Sequence, residues 1–181
     1  MTVVDFSRNH FELMGLPLAY AVEHGRLEQA YRALQGRVHP DRHATGGQAE
    51  RRVAMQWAAR ANEAYRTLRH PVDRARYLLS LKGYDTGEES NTSMPPEFLM
   101  QQMQWREALE AGRDAADASQ LEALRVAIEA ERQVMLALLA RALDAERNYE
   151  AGCALVRKLR FLDKLEASID DALADIEEAA S

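Results

Sequence analysis

A chain of 181 residues, 47% of them hydrophobic, is long enough for one domain or two small ones, each with a packed core. Its single cysteine, Cys153, excludes an internal disulfide and a cysteine-built zinc cage, and reads as a small buried apolar side chain. The net charge of −6 is unevenly split: residues 1–83 carry 13 Lys and Arg against 8 Asp and Glu, while residues 84–181 carry 10 against 21, which suggests two modules with different partners.

Ala and Leu outnumber Val and Ile, Gly and Pro are few, and no run of alternating β-branched residues reads as a strand, so the composition predicts an all-α protein. The opening "MTVVDFSRNH" has no basic segment followed by an apolar core, as a signal peptide would. No apolar run approaches the ~20 residues needed to span a bilayer. A cytoplasmic protein without a membrane partner is the expectation.

The first predicted element is "HFELMGLP", a short apolar segment stopped by Gly15 and Pro17. A helix follows from near Glu23 or His24 to Arg37, with Leu27, Tyr31, Leu34 and Val38 recurring along one face. Arg32 falls on the opposite face, and Arg26 and Arg37 lie together at its edge. Pro40 ends this helix, because proline lacks an N–H and pushes the preceding residue out of helical angles. The loop that follows, "HPDRHATGG", runs to Gly47.

The next helix runs from about Gln48 to Arg69, with a stripe of Ala54, Trp57, Ala58, Ala61, Ala64, Tyr65 and Leu68. Asn62 sits near that stripe and calls for a hydrogen-bond partner. Pro71 suits the first turn of a short helix carrying Tyr77, Leu78, Leu79 and Leu81, ended by Gly83. The two longer helices on either side of the loop should pack antiparallel.

Residues 84–95, rich in Gly, Ser, Thr, Asn and Pro, predict a linker between a unit at 8–83 and a second at 96–178. In the second, three helices are predicted at about 96–111, 119–147 and 149–177. The middle one carries Leu121, Leu124, Ile128, Met135, Leu138, Leu139 and Ala142. The last carries Leu155, Leu159, Leu162, Leu165, Ile169, Leu173 and Ile176. Both stripes have a/d-like spacing and predict an antiparallel three-helix bundle. The first of the three is different. Phe98, Gln102, Trp105 and Leu109 form one line, while Leu99, Met100 and Met103 point about 100–200° away from Phe98. A helix of a three-helix bundle has one buried side, so this second apolar strip is either a contact surface or packing against the first unit or the linker.

His39-Pro40-Asp41 admits four explanations. A base with its orienting carboxylate would need a nucleophile, and none is evident nearby. A metal site built on His39 and His43 would need a helix to align ligands four apart, and Pro40 interrupts it. A plain helix stop needs only the proline. The fourth is an exposed recognition tip flanked by arginines. Nucleic-acid binding by the basic first half is disfavoured, because its cations are shared among three helices instead of forming a dense reading helix.

A helix bearing basic residues, then His-Pro-Asp, then a second amphipathic helix resembles a J domain. "HFELMGLP", "ANEAYRTLRHP" and "DRARYLLSLKGYD" agree with it. "PPEFLMQQMQWREAL" and "VRKLRFLDKL" narrow the resemblance to the HscB, or Hsc20, family of J-type co-chaperones of iron–sulfur cluster assembly, over nearly the whole chain. The resemblance implies an all-α, L-shaped protein that is not itself an enzyme and needs no cofactor. It implies docking on a DnaK-type chaperone, HscA, through His39, Pro40, Asp41, Arg26, Arg32 and Arg37. Asp41 could bond an arginine of the chaperone or a group of its own domain. It further implies binding of the scaffold protein IscU through Leu99, Met100, Met103, Glu107 and Phe161. Gln104 and Ala111 stand where relatives can carry acids, which would weaken an acidic component of that contact. The cysteine pairs of the zinc module found in some relatives are missing, so no metal is expected. A general J-protein for unfolded clients is the alternative, but it would call for a broad, promiscuous apolar surface or for a Gly/Phe-rich linker and zinc repeats, and the sequence shows neither.

Overall fold

The computed structural model describes residues 7–38, 47–87 and 94–179. Its helices are α1 (His10–Leu13), α2 (His24–Val38), α3 (Gln48–Arg69), α4 (Pro71–Leu81), α5 (Pro96–Asp114), α6 (Ala118–Ala140) and α7 (Tyr149–Ala179), with a π-helical turn at Arg141–Ala145. There is no strand among the described residues. The chain divides into two compact units, Met1–Lys82 and Gly83–Ser181.

In the first unit, α1 is short but well capped. Asn9 Oδ1 accepts from the Glu12 N–H at 3.0 Å, and Glu12 Oε2 accepts from the Asn9 N–H at 2.9 Å, satisfying two otherwise orphaned donors. Phe11 of α1, Leu27 of α2, Ala61, Ala64 and Leu68 of α3 and Leu79 of α4 are fully buried and form the core. The alanines of α3 let α2 approach closely, and α2 and α3 make the principal packing contact of the unit. Asn62 has the partners its position calls for. The Tyr31 hydroxyl donates to Asn62 Oδ1 at 2.8 Å, and Gln35 Nε2 donates to both, at 2.6 and 2.8 Å. The Tyr31 ring stacks on Tyr65 with centroids 4.2 Å apart. Together these pin the C-terminal half of α2 to α3.

Arg74 of α4 was not predicted as an interior residue, yet it is only 9% exposed. Its Nη1 donates to the Leu68 carbonyl at 2.7 Å, and its guanidinium lies 4.9 Å from the Tyr20 ring centroid. The carbonyl bond and the ring offset part of the cost of burying the cation, although its Nε–H is buried without a hydrogen-bond partner among the described residues. Leu81 is exposed, so the last turn of α4 contributes less to the core than its sequence suggests.

In the second unit, α6 and α7 form the main pair, and α5 packs chiefly on α6. Leu121, Ile128 and Leu139 of α6 and Val156, Leu159, Leu162 and Ile169 of α7 are fully buried. Gly112 permits close approach of α5 to α6: a Cβ there would lie 2.8 Å from Leu121 Cδ2. Across the α6–α7 seam, Arg132 meets Asp163 and lies 3.3 Å from Glu166; within α7, Arg160 lies 3.8 Å from Asp163.

Two details differ from the sequence expectation. The helix predicted to run to residue 147 leaves α-helical geometry at Arg141. Glu146 N–H donates to the Arg141 carbonyl at 3.0 Å, the i→i+5 bond of a π turn, and Arg147 adopts a positive φ of 52°. The wider turn allows adjacent Ala142 and Leu143 both to be buried. Leu138, expected on the core stripe, is 46% exposed. It lies about 70° from the centre of the inner face, and Leu139 takes the inner position.

The first residues of the predicted linker are held on the second unit. Thr86 is buried and its carbonyl accepts from Arg157 Nη1 at 2.8 Å, while the Tyr84 ring lies 5.2 Å from that of Tyr149. Composition marks this stretch as a break between helices but carries no trace of those partners.

Candidate interaction surfaces

On the first unit, α2 carries the arginines singled out by the sequence. Arg26 and Arg32 are exposed; Arg26 Nε is 4.0 Å from Glu23 Oε2, and Arg32 Nη2 is 3.3 Å from Glu28 Oε2. Such exposed pairs within a helix hold a side chain only loosely, so both cations remain available to a partner. Arg37 belongs to the last turn of α2. His39, Pro40 and Asp41 lie outside the described residues, as does His43.

On the second unit, Pro96 occupies the first turn of α5, where its missing N–H costs nothing. One face of α5 supplies Phe98, Trp105 and Leu109 to the core. The other leaves Leu99, Met100 and Met103 exposed by 43%, 63% and 62%. Glu107 is exposed as well. The strip is therefore surplus to the packing of its own unit.

Phe161 of α7 is half-buried, and its neighbours explain why. It meets Phe98 edge-on, with centroids 6.0 Å apart at 80°, and stacks on Trp105 at 6.3 Å. Phe98 and Trp105 are themselves edge-on at 6.1 Å. The three rings form one cluster joining α5 to α7, so Phe161 belongs to both the bundle and its surface. Two residues absent from the sequence-based set cover this cluster. Arg106 Cζ lies 5.3 Å from the Phe161 centroid, and Lys158 Nζ lies 5.1 Å from that of Phe98. A signal for Arg106 was present, since it follows Leu99 by seven residues and falls within about 20° of it around the helix. Lys158 carried no such signal, because its neighbour Phe98 belongs to another helix.

Among the described residues, no group of three or more His, Cys, Asp or Glu side chains could hold a metal ion, and no helix is long and apolar enough to cross a membrane. Cys153 is buried, and that burial raises its thiol pKa.

Residues 94–170 match the family model described as the HSCB C-terminal oligomerisation domain. The co-chaperone protein HscB homolog of Burkholderia thailandensis is 47% identical over 175 residues, covering 97% of this chain and 99% of the relative. The homolog of Cupriavidus taiwanensis is 50% identical over 168 residues, covering 93% and 95%. Among solved structures, chaperone HscB from Vibrio cholerae superposes with a TM-score of 0.81 at 38% identity, covering 93% of this chain and 99% of that one. Human co-chaperone HscB gives 0.84 at 26% identity, covering 92% and 83%. With a J domain followed by a C-terminal helical bundle, this chain belongs to the HscB family of J-type co-chaperones of iron–sulfur cluster assembly.

Proposed function

We propose that this protein stimulates the ATPase of a DnaK-type chaperone, HscA, and delivers the iron–sulfur scaffold protein IscU to it. The chaperone-facing residues are His39, Pro40 and Asp41 with Arg26, Arg32 and Arg37. The scaffold-facing residues are Leu99, Met100, Met103, Glu107 and Phe161. Hydrolysis takes place in the partner and locks the scaffold onto it; the present chain supplies contacts and performs no chemistry.

The observation that carries this proposal is the pair of apolar faces on α5. Phe98, Trp105 and Leu109 satisfy the bundle, yet three long apolar side chains stand exposed beside the aromatic cluster. Exposing them costs solvation free energy that a partner surface would recover. Methionines adapt to an irregular partner because they are unbranched and polarisable. On the first unit, exposed arginines on α2 would steer encounter with an acidic chaperone surface, and Pro40 would hold the tip in shape at low entropic cost.

The test is the ATPase rate of HscA with this protein, with IscU, and with both. Synergy between the two is expected. His39→Gln should abolish the stimulation while helicity and IscU binding stay intact. Stimulation that persists in the variant would refute the role of the His-Pro-Asp segment.

A further inference from the structure

We infer that Arg106 and Lys158 are recognition residues of the scaffold-docking surface, and that the partner presents carboxylates to them over the aromatic cluster. This rests on the scaffold-docking proposal for the α5 strip.

Residues 84–181 hold 10 Lys and Arg against 21 Asp and Glu, so a cation in the second unit has many potential partners. Arg113, Arg125, Arg132, Arg141 and Arg160 each pair with a carboxylate. Among the described residues, Arg106 and Lys158 do not; each rests on an aromatic ring instead, Arg106 on Phe161 and Lys158 on Phe98. Those rings belong to one cluster, with centroids 6.0 Å apart. Two cations from different helices therefore converge on the same apolar platform.

A cation held over a ring is attracted by the ring's negative face, and Arg106 is exposed, so its N–H donors can still meet an acceptor from a partner. A carboxylate delivered to those donors would form charge-assisted bonds without displacing the ring contact. The charges also give the strip a direction. Arg106 lies within about 20° of Leu99 around α5, whereas Glu107 lies about 80° from Leu99, beside Met100. A docking surface with an apolar centre, acids on the Arg106 side and a donor on the Glu107 side fits one way round. The reversed orientation sets like charges together at both ends. The apolar strip thus supplies affinity, and the two cations set register and partner choice.

The experiment measures IscU binding to the full-length protein by calorimetry, at low and high salt, for Arg106→Glu, Lys158→Glu, Arg106→Lys and Leu99→Ala. Each charge reversal should weaken binding on the order of tenfold at low salt and flatten its salt dependence, with Arg106→Lys retaining most of both. Circular dichroism melts of the same proteins should superpose, since a purely structural role would shift the melt and leave the salt dependence unchanged. If both reversals bind like the parent with unchanged salt dependence while Leu99→Ala is weakened, the recognition role is refuted and the docking surface stands. If Leu99→Ala also binds like the parent, the docking proposal falls with it.

Discussion

The most direct perturbation of the α5 strip is the triple substitution Leu99→Ala, Met100→Ala and Met103→Ala. Burying a Leu or Met side chain completely is worth roughly 2 kcal/mol. These residues have 43%, 63% and 62% of their surface still exposed, so covering them with a partner would add about 3 kcal/mol. Losing that contribution corresponds to a Kd weaker on the order of a hundredfold. The cost to the fold should be much smaller, about 1 kcal/mol, because little of each side chain is buried and alanine is the better helix former. Phe98→Ala is the contrasting control. Its side chain is 4% exposed at the centre of the ring cluster, and its removal should cost about 3–5 kcal/mol of bundle stability. Calorimetric titration with IscU and urea denaturation followed by circular dichroism measure the two quantities separately. A triple variant that is destabilised as severely as Phe98→Ala, yet binds IscU normally in its folded fraction, would show that the strip is core and refute the assignment.

Three further outcomes concern the scaffold of the molecule. Arg74→Met should lower stability by about 2 kcal/mol in denaturant titration, since it removes the bond to the Leu68 carbonyl and the cation over Tyr20; an unchanged midpoint would contradict this. Gly112→Ala should destabilise by about 1 kcal/mol, because overpacking against Leu121 Cδ2 and Cγ, at 2.8 and 3.0 Å, exceeds the helix-propensity gain. A higher melting temperature would show that Leu121 yields freely. His10 stacks on Tyr77 at 4.2 Å, and burial lowers its pKa below the ordinary 6.5, with Glu63 opposing and Arg60 adding to the shift. The fold favours neutral imidazole, so this contribution is complete above about pH 6.5 and is lost as pH falls through the depressed folded-state value. His10→Gln should flatten that part of the stability–pH profile, and an unaltered profile would rule the contribution out.

Much of the candidate site was legible in one dimension. The two-faced pattern of α5 is a property of spacing alone, so the exposure of Leu99, Met100 and Met103 follows once Phe98, Trp105 and Leu109 are assigned to the core. Helix geometry puts Phe161 about 80° off the centre of its helix's leucine stripe, but does not make it one of three rings. Its partners Phe98 and Trp105 lie more than fifty residues away, and nothing in either segment specifies that they meet.

Sequence by itself determined the six longer α-helices among the described residues and most of their approximate ends, because helix periodicity, proline stops and glycine caps act over a few residues. It also determined the division of charge and the surplus face of α5. Tertiary structure decided which partners the polar groups meet. Asn62 finds Tyr31 and Gln35, Arg74 finds Leu68 and Tyr20, and Arg157 finds Thr86. It decided that Leu139 turns inward instead of Leu138, and that α6 ends in a π turn. It also set Arg106 and Lys158 on a shared aromatic platform. The physical reason is range. Periodicity orients a side chain around its own helix, but a contact between helices depends on where both axes lie, and that is fixed only when the core closes.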